Sequence, residues 1–103
     1  GEGANLTLPL ARKTAWDGYA DALHTAITRV RDFGPDVVLI SLGLDTYERD
    51  PICRLKLTTG DYKRMGTMLK TLGKPTLFVF EGGYNLEALA ENTTNVLEAF
   101  EDR

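Results

Sequence analysis

A chain of 103 residues, 43% hydrophobic and 26% charged, has the size and make-up of one globular domain, which excludes a disordered polymer. Its net charge of −3, with no basic run longer than two residues, gives no electrostatic platform for nucleic acid or an anionic membrane. No apolar stretch approaches the ~20 residues that span a bilayer.

The opening GEGANLTLPLARK lacks the basic start and apolar block of a signal peptide. The single cysteine, Cys53, closes no internal disulfide and reads as a small buried hydrophobe, so the cytoplasm is the expected compartment. An opening on Gly1 fits either a trimmed start or a piece of something longer.

Residues up to Lys13 read as loop, with Pro9 keeping the alternating stretch around it off a central strand. Thr14 and Asp17 have capping-box spacing, and Trp16, Tyr19, Leu23, Ile27 and Val30 follow as one helical stripe. Gly34-Pro35 stops that helix. The run from Asp36 to Leu42 does not alternate, which predicts a strand covered on both faces, as in parallel sheets.

A long connection runs from Gly43 to Leu57. Thr58 and Asp61 then form a second capping box, and Tyr62, Met65, Leu69 and Leu72 a second stripe, ended at Gly73-Lys74-Pro75. The second buried strand is Thr76 to Phe80. Asn85 caps a third helix, with Leu86, Leu89, Ala90, Leu97 and Phe100 expected on its inner face.

The order is α-β-α-β-α, and the two strands with the helix between them predict a parallel unit. Two parallel strands make a poor sheet by themselves, because edges and apolar faces need cover. Residues 1–103 are therefore read as a single partial α/β domain. It would be completed as part of a larger α/β sheet or by pairing with another copy of itself.

In open α/β sheets the functional crevice lies beyond the carboxyl ends of the strands. Here those ends deliver SLGLDT and EGGY. Asp45 is either a turn residue bonding its own backbone, or a metal ligand or general base. The length of the connection after it, about 15 residues, favours function. Gly82-Gly83 permit a tight turn and close backbone approach to a ligand. Tyr84 is either packing or a phenol able to donate to a developing oxyanion, as amide or ester hydrolysis requires. His24 reads as a helix-flank or core residue, Trp16 as core, and no Ser-His-Asp arrangement is available.

Three ordered blocks, PDVVLISLGLDTYERDP, LTTGDYKRMG and GKPTLFVFEGGYN, together with the opening GEGANLTLPL, resemble the C-terminal part of the zinc-dependent deacetylases. Within that family they look closest to the acetylpolyamine amidohydrolases. The resemblance covers essentially the whole chain and implies the arginase–deacetylase fold, a parallel sheet between helices. It implies that Asp45 is a zinc ligand, that Tyr84 stabilises the tetrahedral intermediate, and that Gly82 and Gly83 shape the substrate-pocket floor. The paired histidines and Asp-x-His ligands of the family have no counterpart here, and the resemblance implies that they lie in a missing N-terminal half.

A catalytic zinc needs three protein ligands. The expectation is therefore an incomplete metal site, and no hydrolysis of acetyl-amides such as acetylpolyamine or acetyl-lysine by the chain alone. The alternative is a freestanding, self-associating binding or assembly module without catalysis.

Overall fold

The computed structural model describes residues 3–52 and 54–101, so the expectation for Cys53 lies outside the described residues. Three helices and two strands follow in the expected order: α1 (Trp16–Phe33), β1 (Val38–Gly43), α2 (Thr59–Lys70), β2 (Thr76–Glu81) and α3 (Leu86–Glu101). Among the described residues no helix is long and apolar enough to cross a membrane.

Helix ends show which local signals operate. Thr58 and Asp61 form a complete capping box: the Asp61 amide donates to the Thr58 hydroxyl at 3.3 Å, and the Thr58 amide to Asp61 Oδ2 at 2.8 Å. Asn85 Oδ1 accepts from the Ala88 amide at 3.2 Å, as an N-cap does. The Thr14–Asp17 box does not form. Ala15 is the N-cap and makes no side-chain bond, because the Thr14 hydroxyl instead donates to the Ala11 carbonyl at 2.6 Å, closing the preceding turn. Gly34, at φ 72°, ends α1 in the left-handed conformation that favours glycine.

The strands are direct parallel neighbours, in register from Val38 opposite Thr76 to Gly43 opposite Glu81. Side chains alternate between faces. Ile40, Leu42 and Phe78 point into the core, where they meet Ile27 of α1, Tyr62, Met65 and Leu69 of α2, and Ala88 and Val96 of α3. Phe100 meets Phe78 edge-on at 5.1 Å between ring centroids.

The other face is bare, contrary to the expectation of cover on both sides. Leu39 is 64% exposed and Leu77 57%; Leu39 only lines an open cleft with Leu6 and with Val30 and Phe33 of α1. The sequence run was right about what these residues want. What is lacking is a second layer, which the described residues do not supply.

On helix α3 Leu89 and Phe100 pack against the core as expected, but the face is rotated from the one predicted. Its buried residues are Ala88, Asn92, Asn95 and Val96, while Leu86 and Ala90 are exposed. The reason is the close crossing with α2. A Cβ added to Gly66 would lie 2.9 Å from the Ala99 Cβ and would overlap the Val96 carbonyl, so small residues set this interface. Asn95 Nδ2 meanwhile donates to the Thr59 carbonyl at the start of α2 at 2.9 Å, satisfying its own buried side-chain amide.

Candidate functional site

The carboxyl ends of the two strands lie side by side. Beyond the last register pair, the Leu44 amide donates to the Gly82 carbonyl at 3.1 Å, carrying the ladder one step further. The chain then turns through Gly82 at φ 49° and Gly83 at φ 132°, values that L side chains rarely adopt. Asp45 and Tyr84 thus emerge at the same end of adjacent strands.

The glycines have a second purpose. A Cβ on Gly82 would sit 2.8 Å from Asp45 Oδ2, and one on Gly43 would sit 2.7 Å from Asp45 Oδ1. The half-buried Asp45 carboxylate therefore occupies a slot between two glycine backbones that any side chain would fill. Among the described residues this carboxylate makes no hydrogen bond or ion pair. Gly83 abuts Leu44 and Leu89, where a Cβ would come within 3.1 Å of Leu44 Cβ and 2.9 Å of Leu89 Cδ1.

The described residues of the connection after β1 are tied to one another. Tyr47 and Leu57 form a parallel bridge, the Glu48 amide donates to the Leu57 carbonyl at 2.8 Å, and the Leu57 amide to the Thr46 carbonyl at 3.2 Å. The buried Tyr62 hydroxyl shares a 2.8 Å hydrogen bond with Thr46 Oγ1 and lies 3.5 Å from the Leu44 carbonyl, bracing the residues on either side of Asp45. Asp50, 6% exposed, turns its carboxylate inward, accepting from the Tyr84 amide at 2.6 Å and the Ile52 amide at 2.9 Å. Asn85 Nδ2 donates to the Arg49 carbonyl at 3.1 Å.

Sequence reasoning placed Tyr62 on a helical stripe and left Asp50 within the long connection, and missed what their polar atoms do. Asp-Pro at 50–51 was the available signal, since an aspartate before proline favours a turn held by its own carboxylate.

The Tyr84 ring is 51% exposed. It lines a shallow cleft of about 310 Å³ with Leu44, Gly82, Gly83 and Leu89. Asp45 is not part of that cleft lining; it meets the cleft only through its neighbours Leu44 and Gly82. His24 is exposed on α1, far in sequence from either strand end.

Among the described residues no group of three or more His, Cys, Asp or Glu side chains could hold a metal ion. Asp45, an unengaged carboxylate in a slot of glycines, fits one corner of such a site and no more.

The profile of the histone deacetylase domain matches residues 1–100 of this chain. The chain belongs to the histone deacetylase family. Within it, the chain is similar to acetylpolyamine amidohydrolase 1 of Pseudomonas aeruginosa, at 48% identity over 98% of this chain and 29% of that protein. It is also similar to the acetylpolyamine amidohydrolase of Mycoplana ramosa, at 39% identity over 95% of this chain and 29% of that protein. The crystal structure of acetylpolyamine aminohydrolase from Burkholderia pseudomallei superposes with a TM-score of 0.91 at 32% identity, covering 95% of this chain and 29% of that one.

The fold is thus that of the deacetylases, and the chain spans about 29% of the length of the curated relatives it matches.

Proposed function

We propose that this chain supplies part of a zinc-dependent centre that hydrolyses N-acetyl amides such as acetylpolyamines or acetyl-lysine. The observation that carries the reading is the slot between Gly43 and Gly82, which holds an unengaged carboxylate at the strand end where Tyr84 also emerges. Asp45 would contribute one ligand to the ion, with the remaining donors coming from outside the described residues. When bound, zinc polarises the amide carbonyl and activates water.

The chain's own residues do the rest. The Tyr84 phenol donates a hydrogen bond to the oxygen that gains charge as the amide is attacked. Gly82 and Gly83 keep the floor beside it free of side chains, so the acetyl group can approach the backbone. Similarity to acetylpolyamine amidohydrolases supports an acetylated polyamine as the substrate.

One carboxylate does not retain a catalytic zinc, so the isolated chain with added zinc is expected to show no amide hydrolysis. Activity is expected when this chain replaces the matching segment of the Pseudomonas aeruginosa enzyme. In that chimera Asp45→Asn should abolish zinc retention, measured by metal analysis after dialysis. Tyr84→Phe should lower kcat roughly 100- to 1,000-fold. Full zinc retention by the Asp45→Asn chimera would remove the basis of the reading.

The bare sheet face supports a second reading, a non-catalytic module that self-associates through Leu39, Leu77 and their neighbours. A concentration-independent dimer in sedimentation, disrupted by Leu39→Lys, would favour it. A monomer or an aggregate that only an upstream fragment renders soluble would favour the catalytic one.

A further inference from the structure

We infer that Asp50 is a positioning residue for Tyr84, holding the phenol where the reaction needs it; the inference rests on the reading of Tyr84 given above. Sequence and topology leave the place of Tyr84 open. The strand ladder ends at Gly82, and two consecutive glycines at positive φ then carry the chain, so the register of β1 and β2 stops governing the backbone just before the tyrosine. The ring is half exposed and packs too little to locate itself.

The contact that does locate it is the 2.6 Å hydrogen bond from the Tyr84 amide to Asp50 Oδ2. This is a short, charge-assisted bond to a carboxylate excluded from water. Its other oxygen is committed to the Ile52 amide at 2.9 Å, which fixes the carboxylate plane, and the Asp50 amide donates to the Tyr47 carbonyl at 3.0 Å. The neighbouring pair repeats the tie, Asn85 Nδ2 to the Arg49 carbonyl. Two consecutive loop residues therefore clamp two consecutive residues of the turn.

Burying a carboxylate carries a large desolvation cost unless hydrogen bonds offset it. A loop needing only a turn would be served by the Asp50–Ile52 bond alone, with the side chain at the surface. The inward carboxylate reaching 34 residues along the chain to the tyrosine is what a mere turn does not require. An asparagine in its place has one acceptor oxygen instead of two, so it satisfies one amide and faces the other with its NH2 group.

The test uses the chimera with the Pseudomonas aeruginosa enzyme for kinetics and this chain for spectroscopy. In the chimera Asp50→Asn should lower kcat roughly 10- to 100-fold, while KM stays within about 3-fold. In a Tyr84→Phe background the same substitution should change kcat by less than about 2-fold, because the group it positions is gone. Asp50→Glu keeps the charge but displaces the acceptors by a methylene. It should show the same selective loss, which covers the case in which the asparagine variant fails to fold.

In this chain Asp50→Asn should move the Tyr84 amide proton upfield and speed its exchange. Effects of Asp50→Asn and Tyr84→Phe that simply multiply, or an unmoved Tyr84 amide, would overturn the inference. A Tyr84→Phe chimera with undiminished kcat would instead sink the role of Tyr84 itself, and the amide measurement would still decide what Asp50 holds.

Discussion

The two faces of the same pair of strands have had opposite fates. On one, Ile40, Leu42 and Phe78 are packed against residues as well buried as Leu57, Tyr62, Met65 and Val96, none more than 1% exposed. On the other, Leu39 and Leu77, one step along each strand, stand more than half in solvent. Residue type does not separate them, since both sets are aliphatic or aromatic. The difference is whether helices happen to lie above, and all three helices contribute to the first face. A buried appearance in sequence reports a demand for cover. Whether the demand is met depends on how many layers the chain carries.

The largest effect is expected from equal truncations on the two sides. Leu57→Ala should cost about 2–5 kcal/mol in urea unfolding, because it opens a cavity in a closed core. Leu39→Ala should cost under about 1 kcal/mol, since little packing is lost at an exposed site. Equal costs would mean the bare face is covered in solution.

A smaller loss sharpens the same contrast within the packed half. Gly66→Ala should destabilise by about 1–3 kcal/mol through overpacking, although alanine is the better helix former by about 1 kcal/mol. The closeness of Val96 and Ala99 decides the sign. A stabilised variant would show that α2 and α3 separate readily.

The smallest effect is a pH dependence. Burial pushes the Tyr19 phenol above its ordinary 10.0. Above pH 10 the unfolded chain ionises this group while the folded one keeps its proton. The contribution is complete below pH 10 and is lost as pH rises through the folded value. Tyr19→Phe should flatten the decline of stability above pH 10 without altering its course at neutrality, as followed by urea midpoints across that range.

The element order, the second capping box, the Asn85 cap and the glycine stop of α1 were legible because each depends on neighbours within a few residues. The competing turn at Thr14 was not, since Ala11 and Asp17 are both three residues away in sequence and spacing does not rank them. Asp45 and Tyr84 were legible as strand-end residues. Their supports were not, because Asp50 and Tyr62 act on partners 34 and 16 residues away.

By itself the sequence determined the run of helices and strands, the residues that seek burial, and the family likeness carried by its ordered blocks. These follow from local periodicity and short-range hydrogen bonding. Only the tertiary structure decided which strand face is covered, which side of α3 meets α2, and that two glycines make the slot for Asp45 while Asp50 grips the turn before α3. Such outcomes depend on the crossing of distant segments, where one Cβ or one carboxylate placed an ångström away changes what fits.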